Sequence, residues 1–272
     1  MRDQTISGSH HPRIERGYLA TADGQLHVRT CGQHGPRPPL LMLHQVPNSG
    51  QIFEPLMPAL AEDRLVIAVD TPGYGMSDPI ADPQTIERYA EVIGAALREK
   101  ITEPIDIVGY HTGAAIAAVL AAGDYMRVRR VALVAVPVLT ATERKEFAAL
   151  PPIPFDEAGD WAREEWRRSW QWRGPGQTRD DVLKSFAEKM RPTARYQGAR
   201  AIVAFDMADA LRALQQPLLI VRPKDDLWEA TDRAIALRPD APCIALPEFG
   251  HGLWSAATDQ MVKILKEFFD TP

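Results

Sequence analysis

The chain contains few cysteines and no long apolar run. Only Cys31 and Cys243 occur among its 272 residues, which argues against a disulfide framework and favours a reducing compartment. No apolar run approaches the ~20 residues of a membrane-spanning helix, and the polar segment MRDQTISGSHHPRIERG lacks the apolar centre of a secretory signal. We therefore expect a cytoplasmic protein with no membrane partner.

An excess of basic charge is also absent. The sequence has 31 basic and 36 acidic residues, which gives a net charge of −5, and no basic run stands out. Such a surface offers no electrostatic reason to bind nucleic acid, so we expect no such partner. The 45% hydrophobic and 25% charged content is ordinary for a globular protein, and the length allows one large domain with an insertion.

Short apolar runs alternate with helical patterns along most of the chain. The segment GYLATADGQLHVRTCG (17–32) predicts a hairpin, because Asp23-Gly24 separates two alternating runs. Buried strands are predicted at 39–45, 64–70, 104–110, 128–137, 217–223 and 242–248, and helices at 52–62, 84–100, 112–126 and 253–269. This alternation predicts an α/β fold with a mostly parallel, doubly wound sheet and an antiparallel N-terminal hairpin.

The alternation stops between residues 139 and 208. This stretch holds four of the six tryptophans, Trp161, Trp166, Trp170 and Trp172. We interpret it as a helical insertion that packs over the sheet as a cap. The predicted organisation is therefore a core of residues 1–138 and 209–272 with a helical cap of residues 139–208.

One motif stands where a predicted strand meets an alanine-rich helix. It is Gly109-Tyr110-His111-Thr112-Gly113. A Gly-x-nucleophile-x-Gly pattern at such a junction is typical of a nucleophile elbow, and its middle residue is usually serine. Here the middle residue is His111. The two glycines leave room for a tight turn, so we expect an intact elbow whose imidazole points into a pocket.

Other predicted strand ends also carry polar residues, and ligands bind at the carboxyl ends of parallel strands. The segments LLMLHQVPNSG, VIAVDTPGYGMSD, LLIVRPKDDLW and LPEFGHGLW, together with the elbow, resemble the motifs of the α/β-hydrolase superfamily in the family's chain order. The resemblance runs from about Tyr18 to Phe269. It implies a capped member with the α/β-hydrolase fold, and we expect no organic cofactor.

The resemblance implies catalytic roles for His111, Asp225 and His251. His251 would be the general base, since an imidazole takes and returns a proton near neutral pH. Asp225 would accept a hydrogen bond from its Nδ1–H, and the neighbouring Asp226 is the alternative acid.

The resemblance also implies an oxyanion site and a substrate pocket. The backbone N–H groups of Val46 and Thr112 would bind the oxyanion. Gln45 replaces the family's glycine, and its side chain either narrows the oxyanion loop or supplies an amide donor. We expect Gln45, Tyr110 and Trp254 to border the pocket, and an apolar or aromatic small-molecule substrate is our hypothesis.

The remaining histidines are expected to have no catalytic role. His44 matches a structural histidine of the family, and Asp70 is expected to order the loop after its strand. The others are expected to face solvent; they are His10, His11, His27 and His34.

Three functions stay open for a protein with His111 at the elbow. A neutral imidazole is itself a nucleophile and would form an acyl-imidazole that His251 helps water to cleave, which favours hydrolysis of a small ester, lactone or C–C bond. Alternatively, the two histidines act as acid and base in a cofactor-free lyase or oxygenase-like reaction. The third function is non-catalytic binding of a small molecule. Two histidines and Asp225 also suggest a metal site, but the family arrangement puts Asp225 behind His251, so we expect no metal.

Overall fold

The computed structural model describes residues 12–149, 157–191 and 197–271. Within these residues, eight strands form one sheet in the order β1-β2-β4-β3-β5-β6-β7-β8. The strands are β1 (Ile14–Thr21), β2 (Gly24–Cys31), β3 (Leu40–Leu43), β4 (Val66–Val69), β5 (Ile105–Tyr110), β6 (Val128–Val134), β7 (Leu218–Pro223) and β8 (Cys243–Leu246). The pairs β1–β2 and β2–β4 are antiparallel and the other neighbouring pairs are parallel. The predicted α/β-hydrolase fold class is confirmed.

Helices follow most of the strands. They are α1 (Met57–Leu60), α2 (Ile86–Arg98), α3 (Thr112–Ala122), α4 (Ala141–Ala149), α5 (Asp160–Gln171), α6 (Arg179–Lys189), α7 (Gln197–Ala204), α8 (Met207–Ala213), α9 (Trp228–Leu237), α10 (Leu253–Ala256) and α11 (Thr258–Phe269). A short 3-10 helix spans Gly50–Phe53. None of the described helices is both long and apolar enough to cross a bilayer.

The sheet is covered on both faces, and alternating strand residues show this directly. In β3, Leu41 and Leu43 belong to the hydrophobic cluster that contains α2 and α3. Leu40 and Met42 belong to the cluster on the other face, which contains α1, α10 and α11. Side chains alternate between faces along a strand, so a strand buried on both sides is a continuous apolar run.

Two of the predicted helices are shorter or broken. The expected helix at 52–62 is only the 3-10 turn and the single turn α1, because Pro55 and Pro58 have no N–H to donate to a helical carbonyl. The expected helix at 253–269 divides at Ala257 into α10 and α11. The hydroxyl of Thr258 donates to the Trp254 carbonyl at 2.9 Å, which occupies an acceptor at the break.

Helices α4 to α8 lie between β6 and β7. Within this insertion α5 packs against α6, and the rings of Trp166 and Trp170 stack with centroids 5.9 Å apart. Helix α7 contacts the core where the Gly198 N–H donates to the Tyr74 hydroxyl at 2.9 Å. The helical character of the insertion agrees with expectation, while the domain boundaries at 139 and 208 stay a prediction.

Candidate active site

The chain turns sharply at His111, between β5 and α3. The backbone of His111 has φ 52° and ψ −115°, a region that non-glycine residues rarely adopt, and its N–H donates to the Val134 carbonyl at 3.0 Å. A Cβ on Gly109 would lie 2.4 Å from the Gly113 carbonyl oxygen, and one on Gly113 would lie 2.1 Å from the Leu43 carbonyl oxygen. The steric reason expected for both glycines is confirmed.

The imidazole of His111 is held by a buried carboxylate. Its Nε2 lies 2.8 Å from Oδ2 of Asp225, whose side chain is 0% exposed and whose Oδ1 accepts from the Leu227 N–H at 2.9 Å. Burial acts to lower the pKa of His111, but the charge and hydrogen bond of Asp225, with the charge of Asp226, outweigh it. The pKa of His111 is therefore raised.

His251 is held by the other carboxylate. Its Nε2 lies 2.9 Å from Oδ1 of Asp226. Burial acts to raise the pKa of Asp226, but the hydrogen bond to His251 and the positive charges of His111 and His251 outweigh it and bring that pKa well below its usual value.

The expected pairing of Asp225 with His251 is wrong, because Asp226 makes that contact. The two aspartates follow β7 after one residue, Lys224, and their side chains diverge. The Asp225 N–H bonds to the Pro223 carbonyl at 3.0 Å, and its carboxylate turns toward the elbow, where the Leu227 N–H and His111 satisfy it.

The two imidazoles face each other with ring centroids 5.3 Å apart. One ligand atom from each of His111, Asp225, Asp226 and His251 lies within 4.8 Å of the others, which makes this set a group that could hold a metal ion. The geometric reason for expecting no metal is wrong, since Asp225 lies beside the elbow tip. Each imidazole already has a carboxylate partner, and the absence of a metal stays a prediction.

The two residues whose N–H groups are predicted to bind an oxyanion are near this cluster: Val46 lines the same cavity as His111, and Thr112 follows His111 as the first residue of α3. Neither donates to a protein acceptor in the part of the chain that is described. Residues 45–49, which we call the oxyanion loop, contain Val46. The Gln45 amide donates to Oδ1 of Asn48 at 3.1 Å, so it stabilises this loop.

A cavity of about 440 Å³ opens above the cluster. His111, Asp226 and His251 line it together with Gln45 and Trp254, as expected for the latter two. Part of the remaining wall comes from α5 and α6, which contribute many ionisable side chains, including Glu165, Arg168, Lys184, Glu188 and Lys189. Its aromatic side is Trp172, whose ring lies 5.7 Å from that of His251. The apolar or aromatic character of the substrate stays a prediction.

Tyr110 does not border the cavity, so the prediction that it does is wrong. Its side chain is 0% exposed. It ends β5 one residue before the elbow tip and points into the core, where its ring packs against those of His111 at 4.4 Å and Trp254 at 5.4 Å. It supports the two residues that do face the cavity.

A buried polar network under the oxyanion loop was missed in part. His27 is buried, not solvent-facing, because Asp70 at the end of β4 binds its Nδ1 at 2.8 Å. Asp70 also accepts from Arg29 at 2.7 Å and from the Gly50 N–H at 2.8 Å. It accepts from the Met76 N–H at 3.0 Å, which confirms that it orders the loop after its strand. No local pattern marks His27 and Arg29 as its partners, since each lies more than 40 residues from Asp70 in sequence.

The other histidines predicted to have no catalytic role lie in different surroundings. His44 is fully buried; its Nε2 accepts from the Thr71 N–H at 2.8 Å and its Nδ1 bonds the Gln45 carbonyl at 2.7 Å, which agrees with a structural role. Burial lowers the pKa of His44. His34 lies on the surface beside Glu103. His10 and His11 lie outside the described residues.

Comparison with known proteins identifies the family. The family model described as alpha/beta hydrolase fold matches residues 38–190, more than half of the chain. The chain belongs to the α/β-hydrolase family. Its relatives include the 2-(acetamidomethylene)succinate hydrolase of Mesorhizobium japonicum, 27% identical over 266 residues that cover 88% of this chain and 90% of that protein. They also include the pimeloyl-[acyl-carrier protein] methyl ester esterase of Stenotrophomonas maltophilia, 25% identical over 257 residues that cover 89% and 96%.

Solved structures of this family share the fold. A hydrolase from Pseudomonas aeruginosa superposes with a TM-score of 0.80 at 20% identity, covering 94% of this chain and 99% of that one. The enol-lactonase from Burkholderia xenovorans has a TM-score of 0.76 at 20% identity, covering 94% and 100%. The α/β-hydrolase chain is thus an enzyme of the same family as named hydrolases and esterases.

Proposed function

We propose that this α/β-hydrolase hydrolyses a small ester, lactone or C–C bond, with His111 in the position that serine usually occupies. One observation carries the proposal. Two facing imidazoles, each bonded to its own carboxylate, line a cavity that Val46 also lines, and the Val46 N–H bonds no acceptor among the described residues.

The first step would be attack by His111. Asp225 bonds Nε2, which sets the tautomer and leaves the lone pair on Nδ1 for the substrate carbonyl. The developing oxyanion would bind the N–H groups of Val46 and Thr112. A C–N bond forms as the bond to the leaving group breaks, and the leaving group takes a proton from solvent or from His251. The product is an acyl-imidazolium on His111, whose Nε2–H stays bonded to Asp225.

The second step would be hydrolysis assisted by His251. Asp226 bonds its Nε2, so the other ring nitrogen takes a proton from water. The hydroxide attacks the acyl carbon, the C–N bond to His111 breaks, and the carboxylic acid product leaves. Where His251 protonated the leaving group in the first step it keeps this proton, and where solvent did so it returns the proton to solvent; His111 is regenerated as the neutral imidazole.

The names of the relatives support an ester or related carbonyl substrate. The Stenotrophomonas maltophilia relative is a methyl ester esterase, and a fold neighbour is an enol-lactonase. A small-molecule substrate also fits a cavity of about 440 Å³.

A second candidate function is a cofactor-free lyase or oxygenase-like reaction in which the histidines act as acid and base. The observation that favours it is the separation of the carboxylates, since Asp225 bonds His111 and Asp226 bonds His251. Two imidazoles in unlike environments can hold and accept protons at opposite sides of a substrate.

The test compares the wild type with His111→Ala and His251→Ala on a panel of activated aryl esters and lactones. His34→Ala, at an exposed site, is the matched control. The proposal predicts that the wild type and the control hydrolyse a substrate far faster than free imidazole does, and that both histidine variants lose this rate. Background rates in all proteins would refute ester hydrolysis. If another substrate then needs both histidines, the lyase function holds; thermal stabilisation by ligands without turnover would indicate a binding protein.

A further inference from the structure

Helix α6 reaches the oxyanion loop through one carboxylate, that of Glu188. The Ser49 hydroxyl donates to its Oε1 in a short contact. The Ser49 N–H at 3.3 Å and the Asn48 amide at 3.5 Å are directed at its Oε2. Asn48 also donates to the Ser185 hydroxyl at 3.0 Å, one turn earlier on α6. The last two residues of the oxyanion loop are therefore bonded to the insertion.

The core holds the same loop from the opposite side. Asp70 accepts from the Gly50 N–H at 2.8 Å, directly after the loop, and Arg29 binds Asp70 at 2.7 Å. Within the loop, Gln45 donates to Asn48 at 3.1 Å. Val46 lies between the end of β3 at Leu43 and residues 48–50, which Glu188 and Asp70 hold, so the direction of its N–H depends on contacts from both the sheet and α6.

In the part of the chain that is described, the hydrogen bonds that Glu188 accepts all come from the neutral groups of Asn48 and Ser49. Among the described residues it forms no ion pair, and the adjacent Lys189 pairs instead with Glu165 at 3.1 Å. Burial acts to raise the pKa of Glu188, the bonds from Ser49 and Asn48 oppose this, and the charge of Asp70 adds to it, so the net pKa is raised. A carboxylate in this position costs stability, which agrees with a role other than stabilising α6.

We propose that Glu188 is a positioning residue, which through Asn48 and Ser49 fixes the oxyanion loop so that the Val46 N–H is directed at the reacting carbonyl oxygen. This rests on the proposed function, because it assumes an oxyanion at Val46. Glu188 acts on the transition state through the loop, so its loss lowers kcat and leaves KM nearly unchanged.

The expected size follows from the value of one oxyanion donor. Complete removal of such a donor costs about 10²–10³-fold in kcat. Glu188→Ala loosens the loop while its attachments to Asp70 and Gln45 remain, so we expect a loss of about 10-fold or more. Glu188→Gln keeps one acceptor for the Ser49 hydroxyl and is expected to recover a large part of that rate.

The experiment measures kcat and KM on the aryl ester that the wild type turns over fastest, for Glu188→Ala, Glu188→Gln and the control Asp180→Asn. Asp180 is exposed on the same helix, outside the cavity, and its change removes the same charge. Hydrogen exchange of the 45–51 backbone is measured on each protein without substrate. The inference predicts lower kcat, unchanged KM and faster exchange for Glu188→Ala, partial recovery for Glu188→Gln, and wild-type values for Asp180→Asn.

Two results would overturn the inference. The first is unchanged exchange of the loop in Glu188→Ala, and the second is unchanged kcat despite faster exchange. Both are separate from a failure of the proposed function, which would show as no turnover by the wild type. A folded Glu188→Ala protein is verified by its urea unfolding curve before the comparison.

Discussion

The assignment of one carboxylate to each histidine can be tested by removing one charge at a time. Asp226→Asn keeps the shape of the side chain but removes the charge that stabilises the protonated His251. At the 2.9 Å separation the Coulomb energy is about 1.4 kcal/mol in bulk water and about 6 kcal/mol near a protein surface. Because 44% of the Asp226 side chain is exposed, we take an intermediate value of about 3 kcal/mol, which is a loss of about 100-fold in kcat.

Asp225→Asn should act differently. It removes the charge next to His111, whose pKa is raised by that carboxylate, and an asparagine oxygen can still accept the Leu227 N–H. The acid limb of the kcat/KM profile should move to lower pH, because the neutral imidazole is then available at lower pH. The asparagine oxygen bonds the Leu227 N–H, so its NH2 group faces Nε2 of His111, favours the tautomer with the proton on Nδ1 and lowers the plateau at high pH as well.

The assay is kcat and kcat/KM against pH for both variants, with the free energy of unfolding measured in urea. Asp232→Asn is the control, since this exposed residue on α9 pairs with Arg222 at 2.9 Å away from the cavity. A wild-type plateau in Asp226→Asn, or an acid limb that does not move in Asp225→Asn, would refute the assignment.

Three further predictions follow from the same site. Burial acts to lower the pKa of His111, but Asp225 and Asp226 outweigh it and raise that pKa. Because only the neutral imidazole attacks, kcat/KM of the wild type should rise with pH through a value above about 6.5. A flat profile would contradict this. Gly113→Ala should lower the free energy of unfolding by about 3 kcal/mol, because the new Cβ meets the Leu43 carbonyl. The control Gly17→Ala, whose Cβ would have nothing within 4 Å, should change the free energy of unfolding by less than about 0.5 kcal/mol. Equal losses in urea unfolding would refute the elbow argument. Dialysis against EDTA should leave the hydrolysis rate unchanged, since each imidazole has a carboxylate partner; a loss reversed by added Zn²⁺ would show metal catalysis.

The elbow and the sheet could be predicted because their signals are local. Gly109 and Gly113 flank the tip at the spacing that a tight turn requires, and the apolar runs of β3 to β7 are continuous because both faces are buried. Helix α9, by contrast, was not predicted, and two predicted helices were altered by prolines and by the hydroxyl of Thr258.

The assignment of side chains within the site could not be read from the sequence. Asp225 and Asp226 are adjacent and chemically alike, so only the direction of each side chain after β7 decides which histidine it binds. His27 was expected at the surface because its partner Asp70 is distant in sequence. The cytoplasmic location, the cap boundaries and the absence of a nucleic-acid partner stay predictions.

The measurement that tests the account most directly is the mass of the intact protein during turnover of an aryl ester, with peptide mapping of any adduct. The account predicts a transient increase equal to the acyl group, located on the peptide that contains His111, absent in His111→Ala and prolonged in His251→Ala. Continued turnover by the wild type without any acyl mass, even in His251→Ala, would contradict a nucleophilic His111.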